Sequence, residues 1–146
     1  MPSLVAETAA APPGAGVDHF GRLLEFETDC SDVKDAFDRG MVDFVLLDVR
    51  APNAYATAHI DGALNIPHRE MTSERMAAFP RGTLFVVYCA GPHCNGADKA
   101  ALRLSALGCR VKKMIGGVAG WRDEGFSLTI GTRCTTRSSS ARGTTG

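Results

Sequence analysis

Two runs of consecutive apolar residues limit what this chain can fold into. They are "FVLLDV" at residues 44–49 and "TLFVVYC" at residues 83–89. Neither run alternates between apolar and polar residues, so neither fits a strand with one face in water. Runs of this kind are typical of strands in a parallel sheet covered by helices on both faces. Segments with helical spacing at residues 32–40 and 98–108 alternate with them, which predicts an α/β domain with a mainly parallel sheet.

Shorter patterns fill in the remaining elements. "LLEFET", Leu23–Thr28, is interpreted as a first strand, and residues 109–115 as a last one. Between the first two strands, Ser31 is a candidate N-cap and Gly40 a stop signal for a helix. In the helix after the second apolar run, small residues such as Ala100 fall at helical spacing, so we expect this helix to lie close to the sheet.

The domain organisation follows from length and composition. A chain of 146 residues is long enough for one domain and too short for two well-packed ones. Residues 1–19 are rich in Ala, Pro and Gly and are predicted to be a flexible leader. Residues 20–128 are predicted to form the folded domain. Residues 129–146 lack apolar periodicity and are predicted to be a disordered tail.

Charge and cysteine content exclude some functions and favour a particular cellular location. Sixteen basic and sixteen acidic side chains give a formal net charge of zero, so charge gives no support for nucleic-acid binding. No segment approaches the roughly 18 apolar residues of a membrane span, and we predict no membrane association. Five cysteines, an odd number without a dense pattern, do not resemble a secreted disulfide framework. A reducing, cytoplasmic location is therefore expected.

Cys89 has a position that suits catalysis. It ends the second apolar run, and the loop "AGPHCNG" then leads to a helix predicted to begin near Ala97. Sites in open α/β sheets form beyond the carboxyl ends of strands, and a helix N-terminus stabilises a thiolate. We therefore expect the Cys89 thiol to ionise below the usual value of about 8.5. The alternative is a buried cysteine that serves as a small apolar residue.

Two motifs give the chain a family resemblance. From about Leu23 to Phe126 it resembles a rhodanese-like (sulfurtransferase) domain, through "LLDVRAPNAYATAHIDGALNIP" at residues 46–67 and "VVYC" followed by a loop, a helix and "VKKMIGGVAGW" at residues 111–121. The resemblance implies a five-stranded parallel sheet flanked by helices on both faces. It also implies that Cys89 carries a persulfide, taken from thiosulfate or another sulfane donor and passed to a thiol or cyanide, with a protein acceptor possible. No cofactor or metal is expected.

The resemblance also assigns a substrate-binding loop, whose amides would stabilise the anionic sulfur. The loop residues are Ala90, Gly91, Pro92, His93, Cys94, Asn95 and Gly96. Residues 90–97 contain no Arg or Lys, unlike many family loops, and this departure weakens the case for thiosulfate as donor. Phosphatases that share the fold keep an arginine where this chain has Asn95, so phosphatase activity is not predicted.

Cys94 supports three interpretations. It is a resolving thiol that closes a disulfide with Cys89, a metal ligand together with Cys89 and His93, or a loop cysteine without a partner. The first of these suggests a different class of function. The chain would then be a catalytically silent module that binds a protein or senses oxidants through Cys89 and Cys94.

Polar and small residues elsewhere are predicted to support the site. Asp48 and Arg50, at the end of the first apolar run, either orient the loop or form a structural ion pair. Gly116 and Gly117 are expected to let the chain pass close to the loop, where a side chain would intrude.

Overall fold

The computed structural model describes residues 1–131, and within them every pair of neighbouring strands in the sheet is parallel. The five strands cross the sheet in the order β1-β5-β4-β2-β3, so β4 lies at the centre. This confirms the predicted five-stranded α/β fold. In chain order the strands are β1 (Glu27–Thr28), β2 (Val45–Asp48), β3 (Leu64–Asn65), β4 (Leu84–Tyr88) and β5 (Arg110–Met114).

Helices connect the strands and cover both faces of the sheet, as expected for parallel crossovers. A 3-10 turn, His68–Glu70, follows β3. The α-helices of the described residues are α1 (Leu4–Glu7), α2 (Pro13–Phe26), α3 (Cys30–Arg39), α4 (Pro52–Thr57), α5 (Ser73–Met76), α6 (Gly96–Ala106) and α7 (Gly117–Asp123).

The central strand explains why its sequence shows no polar alternation. Val86 and Tyr88 of β4 pack into the apolar cluster formed with α3, α4 and α7. Phe85 and Val87, which point to the opposite face, pack into the cluster formed with α5 and α6. All four side chains are buried, so both faces of the strand must be apolar.

The first predicted strand was largely wrong. Most of Leu23–Thr28 belongs to α2, which continues to Phe26, and only Glu27–Thr28 forms β1. Val17, Phe20 and Leu24 recur at helical spacing, and a segment that starts at Leu23 misses this period. The domain boundary predicted at residue 20 falls inside α2, so regular structure begins within the segment predicted to be a flexible leader.

The ends of α3 show one error and one success. Asp29, not Ser31, is the N-cap, and its carboxylate accepts a hydrogen bond of 2.8 Å from the amide of Asp32. Gly40 ends the helix as predicted. It takes the left-handed conformation, with φ of 67°, that a glycine C-cap adopts at low cost.

The folded part extends past the predicted end at residue 128. Thr129 exchanges two backbone hydrogen bonds with His59, of 2.8 and 2.7 Å, and the amide of Gly131 donates to the carbonyl of Ala56. The predicted tail therefore starts too early, since Thr129 and Gly131 are hydrogen-bonded to the domain. Residues 132–146, including Cys134, lie outside the described residues.

Replacing Ala100 with Leu tests the close packing of α6. Ala100 is fully buried against the sheet, so the larger side chain should overpack the interface and lower the free energy of unfolding by about 1–3 kcal/mol. Leu102→Ala is the matched control on the same helix, because Leu102 is 73% exposed and should change stability by less than about 0.5 kcal/mol. Urea denaturation measures both. Equal effects of the two changes would show that α6 does not need a small residue.

Candidate functional site

Cys89 lies directly after the central strand, at the carboxyl edge of the sheet. Strand β4 ends at Tyr88, and α6 begins at Gly96, within one residue of the predicted start. Cys89 is 7% exposed, and the backbone amides of Ala90 and Gly96 act on its sulfur in the direction that favours a negative charge. One amide from each end of the predicted loop therefore lies near the sulfur.

The pKa of Cys89 is shifted in the direction opposite to the prediction. Burial and a hydrogen bond from its S–H to the Cys94 sulfur raise the pKa of Cys89 to about 11. The amides of Ala90 and Gly96 act in the other direction but are outweighed. Withdrawal from water disfavours the thiolate more than two amides favour it, so the expectation of a low-pKa Cys89 was wrong.

Cys94 holds the more acidic thiol of the pair. The hydrogen bond received from Cys89 and the backbone amide of Gly96, which lies 3.5 Å from the Cys94 sulfur, lower the pKa of Cys94. The positive charge of Lys99 adds to this shift. Two interacting thiols lose their protons in separate steps, and the shifts give Cys94 the lower pKa of the pair.

The turn before α7 holds the loop from the other side. Gly117 has φ of 58°, and a Cβ there would lie 2.4 Å from the Cys89 carbonyl oxygen and 2.9 Å from the Gly91 nitrogen. The next two amides, of Val118 and Ala119, donate hydrogen bonds of 3.1 and 2.9 Å to the carbonyls of Cys89 and Ala90. The expected close passage of the chain is found at Gly117, which no residue with a side chain could replace without moving the loop.

A second glycine is required beside the sulfur itself. A Cβ on Gly96 would lie 2.9 Å from the Cys89 sulfur and 3.5 Å from the Cys94 sulfur. The first residue of α6 therefore leaves open the space that the two thiols occupy. Sequence reasoning placed Gly96 in the loop but did not identify this contact.

Asp48 and Arg50 form a structural ion pair. Asp48 is fully buried, and Arg50 binds it through Nε and Nη2, with the shortest contact 2.7 Å. Nη2 also donates to the carbonyl of Ala58. Burial opposes the positive charge of Arg50, but the hydrogen bonds to Asp48 outweigh it and raise the pKa of Arg50. The nearby Cys89 adds to this increase. Of the two predicted alternatives the structure shows the ion pair, which ties β2 to the turn after α4.

The remaining loop residues lie at the surface. Pro92, His93 and Asn95 are exposed, and Asn95 precedes α6 without a capping hydrogen bond from its side chain. Within residues 1–131, no three His, Cys, Asp or Glu side chains are grouped so that they could hold a metal ion. The interpretation of Cys94 as a metal ligand with Cys89 and His93 therefore gains no support from the geometry.

A cleft of about 460 Å³ opens in front of the two thiols. Lys113 of β5 lies on its rim, and sequence reasoning missed this residue because β5 is distant from the loop in the chain. The Lys113 ammonium contacts Asp98 at 2.9 Å and Glu27 at 3.6 Å. The hydrogen bond with Asp98 raises the pKa of Lys113, so the cation persists but is already paired.

Comparison with known families now identifies the fold. A family model described as the rhodanese-like domain matches residues 29–124, more than half of the chain. The chain belongs to the rhodanese-like family. This confirms the predicted resemblance, and the matched residues include Cys89, the loop and α7.

Individual relatives of this rhodanese-like domain extend the comparison. It is similar to the crystal structure of the BH2092 protein from Bacillus halodurans, with a TM-score of 0.79 and 35% identity over 83% of this chain and 88% of that one. It is 35% identical over 86 residues to the HTH-type transcriptional regulator Rv0324 of Mycobacterium tuberculosis, covering 59% of this chain but only 38% of the regulator.

A thiosulfate sulfurtransferase from Pseudomonas aeruginosa shares the fold. Its TM-score is 0.58 at 22% identity, over 84% of this chain and 22% of that protein. Parts of this chain are thus similar in fold to a protein named as a sulfurtransferase and in sequence to one named as a regulator. Among residues 1–131, no helix has the length and apolar character to cross a bilayer.

Replacing Gly117 with Ala should both strain the backbone and displace the loop. Gly125→Ala is the matched control, because Gly125 also has a positive φ but no atoms within 4 Å of an added Cβ. The control should cost about 1–2 kcal/mol from backbone strain alone. We expect Gly117→Ala to cost at least about 2 kcal/mol more, as overpacking against backbone does. Urea denaturation gives both values, and equal costs would contradict the close contact with Cys89.

The order of thiol ionisation predicts the order of alkylation. Across a pH series, Cys94 should react with iodoacetamide at a lower pH than an ordinary thiol, and Cys89 should react last. Removing either thiol should move the pKa of the other back toward that of an ordinary thiol. Cys94→Ala should therefore lower the pKa of Cys89, and Cys89→Ala should raise the pKa of Cys94. Peptide mapping measures each site, with Cys109→Ala as a control that leaves both profiles unchanged. Faster reaction of Cys89 would overturn the assignment.

Proposed function

We propose that this rhodanese-like domain is a sulfurtransferase in which Cys89 accepts a sulfane sulfur and passes it to a thiol or cyanide. The observation that carries the proposal is the position of the Cys89 sulfur. It lines the cleft and lies directly beside Gly96 at the start of α6, and the amides of Ala90 and Gly96 favour a negative charge on it. An added sulfur would carry the negative charge into that cleft, next to the N-terminus of α6, where helix amides favour an anion.

The thiol pair supplies the base that Cys89 needs. In the singly ionised pair, Cys94 is the thiolate and accepts the hydrogen bond from Cys89. As the Cys89 sulfur attacks the outer sulfur of the donor, its proton passes to Cys94 and the bond between the two donor sulfurs breaks. With thiosulfate the leaving group is sulfite, and with a persulfide it is a thiolate. The product is a Cys89 persulfide anion beside a neutral Cys94.

The charges around the cleft favour a persulfide as donor over thiosulfate. Residues 90–97 contain no cationic side chain, and Lys113 at the rim is paired with Asp98 and Glu27. A doubly charged donor would have to leave water in a cleft that, among the described residues, is lined by one cationic side chain, the already paired Lys113. A persulfide carries less charge and needs less compensation. The proposal involves no cofactor, nucleic acid or membrane. The thiols at Cys89 and Cys94 must stay reduced for it, which suits the cytoplasm.

Replacing Cys89 with Ser should abolish sulfur loading, because the hydroxyl cannot form a persulfide. Reduced protein is incubated with thiosulfate and, separately, with a thiol persulfide, and intact mass and peptide mapping detect one added sulfur atom on the Cys89 peptide. Cyanide should remove it. Cys109→Ser is the matched control and should load as the parent protein does. A Cys89→Ser protein that retained wild-type transfer would contradict the proposal.

A second candidate function is a redox-responsive module that binds a protein without catalysis. The proximity of the Cys89 and Cys94 thiols favours it, because both sulfurs lie beside Gly96, at 2.9 and 3.5 Å from the position of an added Cβ. A hydroperoxide would oxidise one thiolate to a sulfenic acid as its O–O bond breaks, and the second thiol would displace water to form the disulfide. If neither donor loads sulfur but mild peroxide removes two hydrogens and joins the two cysteines, this function replaces the first.

A further inference from the structure

One side of α6 carries basic side chains that have no acidic partner. Lys99 and Arg103 are four residues apart and so share one side of the helix. The 3-10 turn packs against α6 and adds His68 and Arg69. Arg69, Lys99 and Arg103 are exposed, and within residues 1–131 none of their side chains forms an ion pair or hydrogen bond. We call these four residues the basic face.

The four groups are close enough to act on one another. Burial and the positive charges of Lys99, Arg69 and Arg103 lower the pKa of His68, and no carboxylate contributes to the shift. Elsewhere in the described part of the chain, Lys34, Arg39, Arg50 and Lys113 each contact a carboxylate. The basic face thus concentrates positive charge that the domain itself does not neutralise.

The basic face adjoins the thiols. Lys99 stabilises the Cys94 thiolate, so it lies within electrostatic reach of the site. Arg103 is seven residues beyond Gly96, about 10 Å along the helix axis. Asp98, the acidic residue in the first turn of α6, is engaged by Lys113 on β5 and does not pair with Lys99. The basic face therefore begins about one helical turn beyond Gly96, the residue beside the two thiols.

We propose that the basic face docks an acidic protein surface that carries the acceptor thiol. The cations stand on two elements of an open surface rather than converging on one point, so they suit several separated carboxylates and not one small anion. Exposed Leu102, three residues after Lys99 on α6, adds apolar contact beside the charges. Complementary charge of this kind speeds association and fixes orientation. This inference rests on the proposed function and names its partner.

The docked acceptor completes a balanced transfer. Its thiolate attacks the outer sulfur of the Cys89 persulfide, the bond between the two sulfurs of the persulfide breaks, and Cys89 leaves as a thiolate. The acceptor gains the sulfur as its own persulfide, and no external oxidant or reductant is consumed.

The experiment uses the full chain and two probe peptides that differ only in charge. Each peptide has one cysteine, flanked by glutamates in one and by lysines in the other, and 2-mercaptoethanol serves as the neutral acceptor. Sulfur transfer from persulfide-loaded protein is followed by mass spectrometry at low and high salt. The test variant combines Arg69→Glu with Arg103→Glu. The matched control is Arg81→Glu, because Arg81 precedes β4 and so lies at the opposite end of the sheet from Cys89.

We expect the acidic peptide to accept sulfur at least roughly tenfold faster than the basic one, with the advantage lost at high salt. The double variant should reverse this preference while transfer to 2-mercaptoethanol stays within about twofold, and Arg81→Glu should change neither. Equal rates for the two peptides, or a double variant that keeps the preference, would overturn the docking proposal.

Binding of the same peptides with serine in place of cysteine separates this proposal from the proposed function. Fluorescence anisotropy measures it without any sulfur chemistry. A protein that loads no sulfur but binds only the acidic peptide, through Arg69 and Arg103, would retain the docking surface and lose the transferase function. A protein that transfers sulfur to 2-mercaptoethanol but binds neither peptide would support the transferase function and overturn the docking surface. Thermal unfolding of each variant confirms that it remains folded.

Discussion

The contact between Gly117 and the Cys89 carbonyl determines how the loop is arranged. Because a Cβ at Gly117 would lie 2.4 Å from that oxygen, the two backbone segments meet with no side chain between them. The amides that follow in α7 then bind the carbonyls of Cys89 and Ala90. With the Cys89 carbonyl turned toward α7, the Ala90 amide in the same peptide points the opposite way and favours a negative charge on the Cys89 sulfur. The electrostatics at the sulfur thus depend in part on a backbone contact with α7.

The two thiols share their charge unequally because their burial differs. Cys89 is buried beneath the loop and keeps its proton, whereas half-buried Cys94 takes the negative charge. In the proposed reaction, a protonated Cys89 would be protected from oxidants, which react with thiolates, until a donor approaches. Cys94 would be the base beside it, in a loop whose only other titratable side chain is the exposed His93.

The features that could be predicted from the sequence are those that depend on an uninterrupted run of apolar residues or on a motif. The apolar runs at residues 44–49 and 83–89 identified two buried parallel strands, and the position of Cys89 at the strand end followed from the second. The direction of the Cys89 pKa shift could not be predicted, because it depends first on how deeply the fold buries the thiol and then on whether the loop path brings Cys94 near it. A helix N-terminus alone suggests a low pKa, and burial, with the neighbouring Cys94 thiol, reverses it.

Tertiary placement also hid the charged groups. In the sequence, Lys113 and Arg103 resemble ordinary surface cations of a strand and a helix. Only the fold shows that Lys113 is paired with carboxylates at the cleft. It also shows that Arg103 belongs to the unpaired cations of the basic face. The helix α2 was missed for a local reason. Its apolar residues are spaced over two turns that cross the assumed boundary at residue 20, so neither side of that boundary showed the period.

The two outer strands of the sheet are each only two residues long. Both β1 and β3 therefore expose little unpaired backbone along their free edges. Long free edges invite a foreign strand to pair with the sheet, which leads to domain swapping or aggregation, and short edges prevent this. A protein that associates with this domain therefore finds almost no free strand edge to which it could add a strand of its own. Its recognition must depend on side chains, and so a small number of surface substitutions can change which partners it accepts.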